Sequence, residues 1–230
     1  MAERSVQPIY LFADSQLLFR RNDGSAFIER ICDRAVCPSP LAVYIGASNG
    51  DAPEFYALFE AAMDEIDVRN CHQLRAAFPT KDAALLSKAD IILLAGGDVE
   101  AGWTIIERTK MAELLRQRYL AGATLIGVSA GAVHLGLYAA IELGDAVLRL
   151  VDTLKLVPFI VGVHDEDREW ASLAAVVQML EGSARGLGIP KGGGLVFHPD
   201  QSIEVIRRPA YEFSMTAGKL AQILLLPAEG

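Results

Sequence analysis

Residues 91–94 read Ile-Ile-Leu-Leu, apolar at every position, and lead into Ala95-Gly96-Gly97-Asp98. Preceded by Asp90, this run is too short for a membrane span, which needs ~20 residues. It suits a strand with both faces covered. Ile9–Phe12, Leu41–Ile45 and Thr124–Val128 share the pattern, so they and Asp90–Leu94 are predicted strands. Between them lie helical patterns at Ser25–Arg34, Pro53–Ile66, Lys81–Ala89 and Gly102–Leu120. In the second, Phe55, Leu58, Phe59 and Met63 recur at helical spacing as one apolar face. Asp51 is placed to cap that helix, and Pro53 suits its first turn. Strands alternating with helices of this length predict crossover connections. The expectation is an α/β three-layer sandwich with a mostly parallel central sheet.

After about residue 137 the texture becomes richer in strands. Tyr138–Leu143, Ala146–Val151 and Phe159–Val163 are strand candidates, and Glu169–Leu180 is a helix. Gly186–Ile189, Gly194–Phe197, Ser202–Ile206, Phe213–Thr216 and Ala221–Leu226 follow as short strands. Pro199-Asp200 marks a turn between two of them. Neither a repeat nor a low-complexity linker divides the chain, so one domain over residues 1–230 is expected.

The 230 residues carry 21 Lys and Arg against 29 Asp and Glu, a net charge of −8. That balance disfavours non-specific binding to nucleic acid or anionic membranes. Cys32, Cys37 and Cys71 have neither a disulfide nor a zinc-ligand spacing. Met1–Gln7 holds charges and no long apolar stretch. A cytoplasmic protein with reduced thiols is expected, without a metal, an organic cofactor or a nucleic-acid or membrane partner. A homodimer would be ordinary.

The sharpest local signal is Gly127-Val128-Ser129-Ala130-Gly131-Ala132, after a predicted strand and before a helical start. In that context Gly-x-Ser-x-Gly is a nucleophile elbow. Glycines let the chain reverse tightly, and the hydroxyl stands at a helix N-terminus. The Ala130 amide would then face charge developing on an attacked carbonyl. The same residues also suit a small-residue turn with a capping serine. Gly96-Gly97-Asp98 ends another strand, at the sheet edge where open α/β folds bind ligands. There Gly97 is a second oxyanion donor; the competing role for this turn is Asp98 as a helix cap.

A serine hydroxyl needs a base. His72 reads as structural, and His134 lies on the elbow helix, facing away from the hydroxyl. His198 ends a strand before Pro199 and is a lesser candidate. His164 is best placed, because it ends the run Phe159–Val163 and opens the polar cluster 165–168.

Together these blocks resemble the dipeptidase E and cyanophycinase family of serine peptidases. Its sheet is related to that of class I glutamine amidotransferases, with Ser replacing Cys. Gly96-Gly97-Asp98 is similar to the family's Gly-Gly-Asp/Asn loop, and residues 127–132 to its Ser-Ala-Gly-Ala elbow. His164-x-x-x-Arg168 is similar to its histidine block, and Gly186–Ile189 with Gly194–Phe197 to its late strand pair. The resemblance spans roughly residues 40–206. It implies Ser129 as nucleophile, His164 as base, and the Gly97 and Ala130 amides as the oxyanion hole. The acid orienting His164 would come from the segment after the elbow, where Glu142 is preferred over Asp145. Arg168 and Asp98 would bind substrate.

The chain departs from the pattern where relatives often carry further arginines: Trp170 and Leu173 stand there. Asp165 replaces the usual aromatic after the histidine, and Pro190-Lys191 replaces a late acidic residue. The resemblance implies hydrolysis of a small peptide or amide with an acidic group near the cleaved bond; Arg168, which is kept, is the expected partner of that group, and Lys191, outside the family pattern, is a second candidate cation. The alternatives are a catalytically inactive or regulatory binding protein on this fold, and an α/β-hydrolase esterase recruiting His198.

Overall fold

The computed structural model describes residues 5–22, 24–31, 38–143 and 148–228. Along the chain, β1 (Ile9–Phe12) leads to a small ribbon of β2 (Arg21–Asn22) and β3 (Ser25–Ala26). Then come β4 (Leu41–Ile45), α1 (Pro53–Glu65), β5 (Asn70–Leu74), α2 (Thr80–Leu86) and β6 (Ile91–Leu94). α3 (Val99–Arg108), α4 (Met111–Leu120), β7 (Thr124–Val128) and α5 (Ala130–Leu135) follow. The later part holds β8 (Tyr138–Glu142), β9 (Leu148–Asp152), β10 (Ile160–Val163) and α6 (Ala171–Met179). It closes with β11 (Gly186–Ile189), β12 (Gly194–Phe197), β13 (Ile203–Ile206), β14 (Ala210–Thr216) and β15 (Lys219–Leu225).

The main sheet has seven strands in the order β13-β12-β1-β7-β6-β4-β5. β1, β7, β6, β4 and β5 run parallel, while β12 pairs antiparallel with β1 and β13 antiparallel with β12. The pleat explains why the predicted runs are apolar throughout. Ile9, Leu11, Val43, Ile45, Ile92, Leu94 and Leu125 face one core, packed by α3, α4 and α5. The alternating Tyr10, Phe12, Ala42, Tyr44, Ile91, Leu93 and Ile126 face a second core with Phe59 and Met63 of α1. A second sheet, β10-β11-β14-β15, packs through Phe159, Val161, Leu187 and Ile189 onto the first core. α6 covers its other face with Leu173, Val176 and Val177. β8 and β9 form a hairpin beside it. This is the mixed α/β architecture with a mostly parallel central sheet and a strand-rich C-terminal part. Among the described residues no helix is long and apolar enough to cross a membrane.

Local expectations fail where tertiary contacts intervene. Residues 25–31 are a strand and a 3-10 turn, not an α-helix. Tyr10 Oη and Thr124 Oγ1 donate to the carbonyls of Arg30 and Ile31, which a continuing helix would need. The 102–120 pattern is two helices, parted at Lys110, whose φ is 60°. On α1 the buried stripe runs through Phe59, Ala62 and Met63, and Phe55 and Leu58 stay exposed. Asp51 does not cap α1: Ala52 is the N-cap without a side-chain bond, and Asp51 Oδ2 accepts from Ala76 N.

Candidate active site

Ser129 follows β7 with φ 52° and ψ −114°, a conformation that an L-residue holds only at a cost. Its N–H donates to Phe12 O at 2.9 Å, and its carbonyl accepts from Ala132 N at 2.9 Å. The turn is fixed by close packing: a Cβ on Gly131 would lie 2.0 Å from Leu94 O. The serine side chain stands over the neighbouring turn, because a Cβ on Gly96 would lie 3.1 Å from Ser129 Cβ and 3.8 Å from its Oγ.

That neighbouring turn is equally constrained. Gly97 has φ 138°, and a Cβ there would lie 2.0 Å from Ser48 O. Asp98 N donates to Ser48 O at 2.7 Å, and Asn49 Nδ2 donates to Gly96 O at 3.2 Å. The Asp98 side chain caps α3, accepting from Ala101 N at 2.7 Å. Among the described residues the Gly97 and Ala130 N–H groups have no hydrogen-bond acceptor. Ala130 opens α5, where the first amides are left without intrahelical partners.

His164 follows β10, with φ 56°. Strand register carries it to the same edge as Ser129. Val163 lies beside Ile189 in β10 and β11, and Gly194 beside Phe12, which itself pairs with Val128. Residues 190–193 connect these two strand ends, joining the histidine's sheet to the serine's. That connection is pinned from both sides. Glu166 Oε1 accepts from Lys191 N at 2.9 Å, and Asp14 Oδ2 accepts from Gly192 N at 2.7 Å. Among the described residues, the Ser129 hydroxyl and the His164 ring share no hydrogen bond, and no carboxylate bonds to that ring.

His164 lines a cavity of about 330 Å³ whose wall includes Val99, next to the Gly-Gly turn, and Val133, one turn along the elbow helix. Glu142 and Arg168 line it too. They are paired with each other, Arg168 Nη1 donating to Glu142 Oε1 at 3.2 Å. Arg168 Nε lies 3.8 Å from Asp165 Oδ1. Asp145 falls in 144–147, outside the described residues, as do Cys32 and Cys37. Of the departures from the family pattern, Trp170 is buried against Gly188 and Tyr211, and Leu173 forms cavity wall.

The other histidines are held elsewhere. His134 is buried, and its Nε2 donates to Val99 O at 2.9 Å. Burial pushes its pKa down to about 4, partly offset by that bond. His72 sits in β5, bonded to Asn70 Oδ1. His198 follows Phe197, which pairs with Ile9, while Ser129 follows Val128, which pairs with Phe12, so the two stand off opposite ends of β1. Its partner is Glu204 at 3.2 Å. The esterase arrangement that recruits His198 is not assembled. Among the described residues no three His, Cys, Asp or Glu side chains gather as a metal would require.

Sequence reasoning missed Ser48, Asn49, Asp14 and Glu166, which hold the two loops in place. The available signal was position: Asp14, Ser48 and Asn49 follow the carboxyl ends of β1 and β4, at the edge that carries Ser129.

The sequence pattern of peptidase family S51 matches residues 8–205. A crystal structure of a peptidase from an acI-B1 Actinobacterium is similar at a TM-score of 0.69 and 15% identity, covering 96% of this chain and 98% of that one. A putative peptidase E from Listeria monocytogenes EGD-e is similar at a TM-score of 0.63 and 19% identity, covering 88% of this chain and 98% of that one. No curated protein matches in sequence. The family match spans most of the chain and includes both the elbow and the histidine block, so the chain belongs to peptidase family S51, the dipeptidase E family of serine-type peptidases.

Proposed function

We propose that the chain cleaves a small peptide or amide through Ser129, with His164 as general base. The observation that carries this reading is the Ser129 elbow, whose side chain stands over Gly96 beside the amides of Gly97 and Ala130, which have no acceptor among the described residues. In this mechanism Ser129 Oγ attacks the substrate carbonyl while His164 takes the hydroxyl proton. The Gly97 and Ala130 N–H groups stabilise the oxyanion, and His164 passes the proton to the departing amine. Water, deprotonated by His164, then hydrolyses the acyl-enzyme. Glu142 and Asp145 are the candidates for orienting the imidazole. Glu142 shares the cavity with His164 and would exchange its Arg168 partner to do so. In an apo site such bonds are often long and tighten only with substrate bound.

A second reading, a binding protein on the same fold, is favoured by the lack of a hydrogen bond from His164 to Ser129 or to a carboxylate among the described residues. Peptide-library cleavage followed by mass spectrometry separates the two. Hydrolysis by the wild type that falls by roughly 10⁴-fold or more in Ser129→Ala supports the peptidase. Peptide binding without turnover supports the binder.

A further inference from the structure

The cavity beside His164 has walls of a definite chemistry. On β8 the side chains alternate, so Tyr138, Ala140 and Glu142 face the cavity while Ala139 and Ile141 are buried behind it. Leu148, Ile160, Leu173 and Val176 supply apolar wall opposite and below. At about 330 Å³ the space is at the small end of ligand sites, with room for a large side chain and its neighbouring backbone but not for a polymer.

Its charged groups do not favour an anion. Arg168, the cation among the described lining residues, is held by Glu142 at 3.2 Å and faces Asp165 at 3.8 Å. Among the described lining residues one guanidinium faces two carboxylates, so these three fixed charges sum to −1. Asp165 is further committed, its Oδ2 accepting from Ser172 N at 3.0 Å. A carboxylate entering here would lose water to apolar walls and meet net negative charge. A hydrocarbon side chain would lose only apolar hydration, which favours burial.

We propose that this cavity receives an apolar side chain, leucine- or phenylalanine-like, from a residue flanking the bond that Ser129 attacks. The inference rests on the peptidase reading above and assigns its substrate class: apolar at this subsite, not acidic. Arg168, bridged to Glu142 and Asp165, closes the rim and does not bind a substrate anion.

The test follows covalent labelling of Ser129 by a small uncharged alkyl fluorophosphonate in the full-length protein. Competing tripeptides carry Leu, Phe, Asp or Lys at each position in turn. Half-protection at concentrations at least ~10-fold lower for Leu or Phe than for Asp is expected. Mass spectrometry of cleaved peptides should show the same order. Ala140→Trp, whose indole takes up a large part of the cavity, should remove that advantage. Ala140→Leu, a milder change, should shift selection from Phe toward smaller apolar residues. Labelling with Asp peptides protecting as well as or better than Leu, or with no peptide protecting, overturns this inference and leaves the nucleophile standing. Absence of labelling in folded protein overturns the peptidase reading and this inference with it.

Discussion

His134 gives the fold a specific sensitivity to acid. It lies on α5, the helix that Ser129 opens, and is 1% exposed. Val99 O can only accept, so Nε2 carries the proton, and Nδ1 is buried without a partner among the described residues. Protonating Nδ1 would bury a charged N–H with no acceptor among the described residues. Burial therefore lowers the folded pKa from 6.5 to about 4. The sign follows from proton counts. Between those values the unfolded chain binds the proton and the folded chain does not, so stability is full above ~6.5 and falls as pH drops. A shift of this size corresponds to about 3 kcal/mol in all, of which about 2.5 kcal/mol is lost by pH 4.5. Against a typical domain stability of ~5–15 kcal/mol that is a large share. The assay is urea unfolding from pH 7.5 to 4.5 for the wild type and His134→Gln, whose amide keeps a donor for Val99 O. Carboxylates such as Glu204, held below the usual range by Arg30, contribute equally to both proteins and cancel in the difference. The wild type should lose about 2.5 kcal/mol more than the variant over that range. Parallel profiles, or an NMR titration of His134 near 6.5, would refute the reasoning.

Gly131→Ala should destabilise by about 3 kcal/mol or more, because the new methyl meets the Leu94 carbonyl at 2.0 Å and backbone cannot step aside. A denaturation midpoint equal to wild type would contradict the close crossing of α5 on β6. Asp98→Ala should cost about 1 kcal/mol through the lost cap on α3, and Asp98→Asn should restore most of it. A raised KM in Asp98→Asn at wild-type stability would instead give that carboxylate a part in substrate binding.

The parallel sheet was legible because its strands are covered on both faces. β1, β4 and β7 coincide with the predicted runs, since Pro8, Pro40 and Gly122 punctuate the chain just before them. Helices were less legible where the chain breaks without Gly or Pro, as at Lys110. The fate of residues 25–31 was hidden because Tyr10 and Thr124, distant in sequence, take the carbonyls involved. At the site, Ser129 and the Gly96–Gly97 turn could be found by motif, as strand, turn and helix are local. The Glu142–Arg168 pair spans 26 residues and depends on how the β8–β9 hairpin leans against β10, which no local pattern encodes. The same holds for Glu166 and Asp14, which reach across 25 and 178 residues to pin the loop between the two sheets.

Activation of the Ser129 hydroxyl by His164 is the step on which the proposed peptidase activity depends. The most direct measurement is the second-order rate of Ser129 phosphonylation, in which the Oγ–P bond forms, fluoride leaves and the hydroxyl proton passes to the base. The expected result is one label per chain on Ser129 in the wild type, none in Ser129→Ala, and a rate lowered about 10²–10⁴-fold in a folded His164→Gln variant. Labelling of His164→Gln as fast as wild type, or labelling at another residue, would contradict it.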